Sequence, residues 1–342
     1  IWMILITSLS TSTIITMIST HWLLAWLGLE LNTLSMLPIM MKTHHPRATE
    51  ATTKYFIIQA TAAALILFSS TLNAWETGQW FITTSSSTLT ATLLTTAIAL
   101  KLGLTPMHFW YPEVLQGSTL STAMIISTWQ KIAPLTLLYL TINYLPVTTL
   151  LLLGLASTLL GGWMGLNQTQ TRKILAFSSI AHMGWLTIAL TLTPTLATLT
   201  FLAYMAMTIT VLSSLNITSS KTMTDLGTTW SHSPTLLTVT MIALLSLGGL
   251  PPLTGFLPKL LILKELTSLG LMMLSTMLVM ASLPSLFFYT RLAYLTTLTT
   301  PPNTTNTEYK WRFKPTHTMN LTLTMTLSTM LLPMAPMLYM TT

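Results

Sequence analysis

The 342-residue sequence contains no cysteine and few charged residues of either sign. Without cysteine, the chain cannot form disulfides, hold an iron–sulfur cluster through thiolates or use a thiol nucleophile. Charged residues make up only 6% of the chain, against about 25% in soluble domains. So few charges cannot cover the surface of a soluble protein of this size. These absences exclude a soluble enzyme and a disordered chain.

What is present is a series of long apolar segments. A spanning helix needs about 20 mostly apolar residues. Threonine, about a fifth of the sequence, fits such helices because its hydroxyl can bond a carbonyl of the preceding turn. We predict an all-α polytopic membrane protein, a single domain over 1–342, with about eleven transmembrane helices: 2–19, 22–41, 51–75, 87–104, 120–142, 147–166, 174–192, 195–215, 235–263, 270–295 and 319–339.

The few cations support this count because they alternate from loop to loop. Lys42, Arg47 and Lys54 follow the second predicted span, and Arg172 and Lys173 follow the sixth. More cations follow the eighth and tenth spans, whereas the loops after odd spans hold few. Under the positive-inside rule, this pattern places the N-terminus on the side of synthesis and the C-terminus on the opposite side. The net charge of +7 thus reports orientation and does not indicate a nucleic-acid partner.

Apart from Lys54 and Arg291, which are counted with the loop cations, four charged residues fall inside predicted spans, where burial costs about 3 kcal/mol each. They are Glu30, Lys101, Lys131 and Lys259. One interpretation is that each snorkels to the membrane surface or forms a static ion pair. Three lysines cannot all be neutralised by one glutamate, however, and a lysine amine can take up or release a proton. The second interpretation is therefore a proton relay.

Two histidines are candidates for extending this relay. A neutral imidazole can both accept and donate a proton, which makes His108 and His182 possible members. Each is equally compatible with a hydrogen-bonded structural role. His44 and His45 form a loop pair without the further ligands that a metal site needs, so no metal site is predicted.

Glycine and proline interrupt two of the apolar segments beside a charged residue. The interruptions cover 101–112 and 248–259 and lie five predicted spans apart. An odd separation would invert equivalent elements, and inverted repeats with discontinuous helices are typical of transporters. We predict inverted five-helix repeats over about 1–142 and 147–295, followed by a final helix over about 319–339. Pro134, after Lys131, marks either a further opening or an ordinary kink.

Long motifs in the same regions resemble one known family. These are residues 21–33, 44–56, 101–114, 129–134, 170–185 and 248–259, in order along nearly the whole chain. They resemble the antiporter-like membrane subunits of NADH:ubiquinone oxidoreductase, respiratory complex I. Longer members of the wider family have fourteen spans, three more than we predict for this chain.

The resemblance implies a core membrane-arm subunit that couples electron transfer in partner subunits to proton translocation. Glu30 then pairs with Lys101, Lys131 is the central relay lysine and Lys259 is the terminal one. No cofactor belongs to this chain, while NADH, FMN, iron–sulfur clusters and ubiquinone belong to partner subunits. The implied partners are other membrane-arm and accessory subunits and membrane lipid. The implied location is the mitochondrial inner membrane, with the N-terminus in the matrix and the C-terminus in the intermembrane space.

Two other functions stay open at this point. Buried lysines and inverted repeats also suit a self-standing cation/proton antiporter. A structural module that ties membrane subunits together is less favoured, because all four candidate relay groups are present. A quinone-binding enzyme is least favoured, because no head-group site is recognisable. The chain is thus expected to be a subunit of a proton-translocating NADH:ubiquinone reductase with no redox active site of its own.

Overall fold

The computed structural model describes residues 2–84, 87–231, 233–251, 253–300 and 321–330. Over these residues the chain is helical, with two isolated β-bridges and no strands. The helices are α1 (Trp2–Ile18), α2 (Trp22–Met41), α3 (Pro46–Thr77), α4 (Thr88–Leu102), α5 (Trp110–Gly117), α6 (Leu120–Ser127), α7 (Ile132–Thr141), α8 (Val147–Gly165), α9 (Thr171–Leu192), α10 (Pro194–Thr218), α11 (Asp225–Thr228), α12 (Pro234–Gly248), α13 (Phe256–Ser268), α14 (Met272–Leu298) and α15 (Leu321–Met330).

The chain divides into two compact units, Ile1–Ser157 and Thr158–Thr342, and the boundary lies within α8. In unit 1, α1 packs on α2, α2 on α3, and α3 on both α4 and α5. In unit 2, α9 and α12 pack on α10, and α14 packs on α12. Helix α15 also belongs to unit 2, where it contacts α10 and α12.

Six described helices are long and apolar enough to cross a membrane: α2, α3, α8, α9, α10 and α14. Helices α1, α4 and α12 are apolar but shorter. The polytopic all-α fold is thereby confirmed, while the number eleven stays a prediction. The predicted span 120–142 is two helices, α6 and α7, and the span 235–263 combines α12 with part of α13. Of the final predicted helix, residues 319, 320 and 331–339 lie outside the described part of the chain.

Threonine and serine hydroxyls are satisfied inside their own helices. The hydroxyl of Thr95 donates to the carbonyl of Thr92 at 2.8 Å, and that of Thr210 donates to the carbonyl of Met207 at 2.7 Å. This is the local bonding that makes hydroxyl side chains tolerable in apolar surroundings. A threonine bonded in this way needs no polar partner from another helix.

Small residues of α8 allow close packing within unit 2. A Cβ atom at Gly161 would lie 2.8 Å from the backbone nitrogen of Ala181 on α9. A Cβ atom at Gly165 would lie 2.9 Å from the ring of Phe288 on α14. The four-residue spacing of these glycines thus marks a helix-packing face.

Candidate functional site

The predicted interruption in unit 1 separates α4 from α5. Helix α4 ends at Leu102, and Gly103 adopts a left-handed conformation with φ of 73°. The amide of Gly103 donates to the carbonyls of Ala99 and Leu100, and the amide of Leu104 donates to that of Ala99. This is a Schellman motif, which needs a residue tolerant of positive φ. The next helix begins only at Trp110.

Lys101 lies in the last turn of α4 and is 6% exposed. Its amine has no hydrogen-bond partner among the described residues. Glu30 of α2 is half-buried, and its Oε2 atom is buried without a partner in the described chain. The two side chains interact electrostatically but form no contact ion pair in the described structure. The helix C-terminus is a favourable place for the cation of Lys101.

Lys131 lies at a second break in unit 1. A 3₁₀ turn, Trp129–Lys131, separates α6 from α7. Pro134 has no backbone N–H with which to bond the carbonyl four residues earlier, so the helix is opened at this point. The side chain of Lys131 is buried, and its Nζ atom lies 5.0 Å from the ring centroid of Tyr111, a cation–π geometry. The opening near Pro134 is therefore observed.

Lys101 and Lys131 line the same cavity within unit 1. The water-accessible volume of this cavity is about 20 Å³, which is enough for one water molecule. Polar side chains around it come from Asn32, Thr33, Tyr55, Gln59, Tyr111 and Gln130. The structure thus brings two of the predicted site residues to one cavity that has both polar and apolar side chains in its wall.

The uncharged polar residues of this cavity are not among the site residues predicted from the sequence. Asn32 follows Glu30 by two residues, Gln130 directly precedes Lys131, and Gln59 lies inside an apolar span. These residues could have been predicted from asparagine and glutamine in the middle of apolar segments. An amide, like a charged group, costs free energy when it is buried without partners, so its presence there indicates a polar site.

His108 lies in the loop between α4 and α5 and is 1% exposed. Its ring stacks on that of Phe109, with the centroids 4.4 Å apart. It does not line the cavity that Lys101 and Lys131 share. The structure therefore places His108 beside the break but not in the wall of the cavity.

The predicted interruption in unit 2 has the same backbone geometry. Helix α12 ends at Gly248, and Gly249 has a φ of 80°. The amide of Gly249 donates to the carbonyls of Leu245 and Ser246, and that of Leu250 to Leu245. After the break, α13 begins at Phe256.

Lys259 lies in α13, after the break, and is half-buried. Its Nζ atom donates to the carbonyl of Gly248 at 2.8 Å, at the C-terminus of α12. The break itself is fixed to α15, because the hydroxyl of Thr254 donates to the carbonyl of Ser328. Lys259 thus compensates the unpaired carbonyls of a helix end, which is a favourable place for a cation.

His182, the remaining candidate, lies on α9 and is half-buried. Its ring centroid lies 5.6 Å from that of Tyr204 on α10, with the rings tilted by 42°. The candidates therefore fall into two groups. Unit 1 contains Glu30, Lys101, His108 and Lys131, and unit 2 contains His182 and Lys259.

Comparisons with known proteins cover nearly the whole chain. The family model described as NADH:quinone oxidoreductase/Mrp antiporter, TM, matches residues 19–285, and that described as NADH dehydrogenase subunit 2 C-terminus matches residues 286–339. NADH-ubiquinone oxidoreductase chain 2 of Carassius auratus is 54% identical, over 98% of this chain and 96% of the relative. The protein of that name from Struthio camelus is 53% identical, over 97% and 96%.

Two solved structures share the fold. A chain of respiratory complex I from Thermus thermophilus with bound aureothin superposes with a TM-score of 0.85 at 25% identity, covering 97% of this chain and 78% of that one. A chain of the Mrp complex from Dietzia sp. DQ12-45-1b superposes with a TM-score of 0.82 at 15% identity, covering 98% and 75%.

Proposed function

The chain belongs to the family of antiporter-like membrane subunits of complex I, and we propose that it moves protons through a buried relay of Glu30, Lys101, Lys131 and Lys259. Electron transfer from NADH to ubiquinone takes place in partner subunits, which hold the FMN and iron–sulfur clusters. This chain binds no redox cofactor, and its partners are other membrane-arm and accessory subunits and membrane lipid. The enzyme resides in the mitochondrial inner membrane, with the N-terminus of this chain in the matrix and the C-terminus in the intermembrane space.

The observation that carries the proposal is the shared cavity of Lys101 and Lys131. A water molecule there can accept a proton from the ammonium of Lys131 while it gives one to the neutral amine of Lys101. The water is regenerated, Lys131 becomes neutral and Lys101 becomes charged. The Glu30 carboxylate interacts electrostatically with Lys101 and so couples to this transfer.

Lys259 is the terminal group of the relay, in unit 2. Its amine donates to the carbonyl of Gly248, which uses one of the three N–H donors of an ammonium and leaves the others for proton exchange. His108 and His182 are possible additional members, because each is at least half-buried and an imidazole can pass a proton from one nitrogen to the other.

The test is Lys131→Met in the assembled complex. We expect proton translocation and coupled NADH oxidation to fall, because the central proton carrier is removed, while assembly is retained. The matched control is Lys264→Met, which changes an exposed lysine of α13 and should leave both rates unchanged. An unchanged ratio of protons moved to NADH oxidised in Lys131→Met would remove Lys131 from the relay.

A self-standing cation/proton antiporter is the second candidate, favoured only by the fold shared with the Mrp complex. Mildly solubilised inner membranes on a native gel distinguish the two. If mass spectrometry finds this chain in a large band that stains for NADH oxidation, the complex I function stands. If the chain migrates in a small complex without that activity, ion flux in proteoliposomes becomes the relevant assay.

A further inference from the structure

Gln130 directly precedes Lys131 in the 3₁₀ turn, and both ends of its side-chain amide are bonded. Its Nε2 atom donates to Oδ1 of Asn32 on α2 at 3.1 Å. Its Oε1 atom accepts from the hydroxyl of Tyr55 on α3 at 3.4 Å, the weaker of the two bonds. Asn32 and Tyr55 are each 2% exposed. The amide therefore ties the turn to two neighbouring helices through buried partners.

The backbone of this turn has little support of its own. Regular α-helical bonding extends to Thr128, whose amide donates to the carbonyl of Met124 at 3.1 Å. The amide of Lys131 instead donates to the carbonyl of Thr128 at 3.3 Å, which is 3₁₀ geometry. The carbonyl of Gln130 lacks its usual helical donor because that donor would be Pro134. The side-chain bonds of Gln130 therefore add support that regular helix bonding does not provide at this turn.

The same three side chains line the cavity shared by the two lysines. A small movement of the turn would change the separation between the amine of Lys131 and that of Lys101. Proton transfer is sensitive to such movements, because the reacting atoms must come within hydrogen-bond distance. We propose that Gln130 is a positioning residue, which holds Lys131 against the cavity wall through Asn32 and Tyr55 and so sets its distance to Lys101.

This inference rests on the proposed function, and the experiment compares two isosteric changes in the assembled complex. Gln130→Met removes both amide bonds and keeps the side-chain length. Gln59→Met makes the same change at another amide that lines the same cavity but is not in the turn. We expect a several-fold loss of proton translocation per assembled complex in Gln130→Met, and a smaller loss in Gln59→Met.

The pH profile of coupled turnover separates positioning from a purely structural role. The titratable groups at the cavity are Lys101, Lys131, Tyr55 and Tyr111, with Glu30 interacting with Lys101. A displaced Lys131 changes its coupling to these groups, so the profile of Gln130→Met should shift relative to wild type. Gln130→Met could instead reduce the amount of assembled complex while each complex keeps the wild-type rate and pH profile. Gln130 would then serve folding alone, and the inference would be wrong. Equal losses in Gln130→Met and Gln59→Met would overturn it as well, since cavity polarity alone would then explain them.

A double-mutant cycle with Tyr55→Phe tests the tether itself. Because Tyr55 and Gln130 share one bond, we expect the losses of the two single variants to be non-additive. Additive losses would show that Tyr55 does not act through Gln130. The control Ser70→Ala removes a buried hydroxyl of α3 that bonds the carbonyl of Leu67, and it should leave the rate unchanged.

Failure of this inference is distinguishable from failure of the proposed function. If Lys131→Met leaves translocation unchanged, the relay is wrong whatever Gln130 does. If Lys131→Met abolishes translocation while Gln130→Met keeps the wild-type rate and pH profile, only the positioning role is wrong.

Discussion

The two broken helices have the same backbone but hold their lysines differently. Both α4 and α12 end in a Schellman motif on a left-handed glycine. Lys101 lies before its break with an amine that has no hydrogen bond in the described structure, whereas Lys259 lies after its break and bonds the end of α12. A lysine that makes no bond is free to exchange its proton, and a bonded one stabilises the break. The same local structure therefore suits two different tasks.

The loops before the broken helices also correspond. In unit 1, His21 before α2 forms an antiparallel bridge with Phe81, in the segment that leads to α4. In unit 2, Gln170 before α9 forms one with Thr222, in the segment that leads to α12. Recurrence of the bridge and the break in the same order supports an internal repeat. The boundaries of the repeats and their inversion stay predictions.

The largest expected effect is at the glycine that closes the break in unit 2. A Cβ atom at Gly255 would collide with the carbonyl oxygen of Ser246, a backbone atom that cannot rotate away. We expect Gly255→Ala to destabilise unit 2 by about 3 kcal/mol or more and to prevent assembly. Assembled complex is measured on native gels.

The comparison in unit 1 is Gly103→Ala. Its Cβ atom would have ordinary clearance, 3.4 Å from Cβ of Tyr111, so only the positive φ of 73° opposes it. That strain costs about 1 kcal/mol, and the complex should still assemble. We assign the effect of Gly255→Ala to a collision with the backbone and that of Gly103→Ala to backbone strain alone. Equal loss of assembly in both variants would contradict this distinction.

The next effect concerns the two lysines directly. Lys259→Met leaves the carbonyl of Gly248 without its charged donor, which should cost about 2 kcal/mol of stability. Lys101→Met replaces an amine that makes no hydrogen bond, so stability should stay the same or rise. The thermal midpoint of the assembled complex measures both.

Proton translocation should fall in both lysine variants, because each removes a proposed relay group. The comparison fails if Lys101→Met lowers the thermal midpoint as much as Lys259→Met does. Lys101 would then also be a structural residue, and its missing bond would carry no functional meaning.

The sequence predicts the breaks well because their cause is local. Glycine after an apolar segment, followed by proline, ends a helix whatever surrounds it. Helix starts are harder to predict from hydropathy. The third span is predicted from residue 51, but α3 begins at Pro46. Its first turn is polar and is capped by His45, and a hydropathy profile does not detect such a turn. The side chain of His45 accepts the amide of Arg47 at 3.1 Å.

The cavity is harder to predict than the breaks. Its polar residues come from α2, α3 and the 3₁₀ turn, and a helix that is apolar on all sides does not reveal which face it buries. The separation of Glu30 and Lys101 along the sequence does not predict the distance between their side chains either. Their types suggest a pair, but only the packing of α2 and α4 decides that they interact without contact.

A smaller effect is expected at Glu30. Its interaction with Lys101 acts through space, so Glu30→Gln should remove an electrostatic interaction of Lys101 without breaking a hydrogen bond to it. In unit 2, the described polar contact of Lys259 is to a backbone carbonyl, so there is no partner side chain whose substitution would remove it. Glu30→Gln should therefore lower translocation on its own but add no loss in a Lys101→Met background. Independent losses in this double-mutant cycle would defeat the pairing of Glu30 with Lys101.

The smallest effect concerns the bridges. In unit 2, the Asp225 carboxylate accepts the amides of Lys221 and Thr222 at 3.2 and 2.9 Å, and it thereby holds the bridging segment. In unit 1, the corresponding segment is held by a neutral bond from Asn73 to Thr84 at 3.0 Å. The hydrogen bonds from Thr222 hold the pKa of Asp225 below its ordinary value of 3.8. The stabilisation is therefore complete above pH 3.8 and is lost as the pH falls through the lowered pKa.

Asp225→Asn removes the charge and keeps one acceptor, so it should cost less than about 1 kcal/mol near neutral pH. Hydrogen exchange of the amides of Lys221 and Thr222 in the assembled complex measures this loss against wild type. The difference between the two proteins should vanish once the pH falls below the lowered pKa of Asp225, because wild-type Asp225 is then also neutral, whereas protection at Ile82 in unit 1 should be the same in both. If the difference in hydrogen exchange between wild type and Asp225→Asn persists in acid, the charge of the carboxylate does not hold the bridge of unit 2. Its shape would then hold the bridge, and the two bridges would be held in the same way.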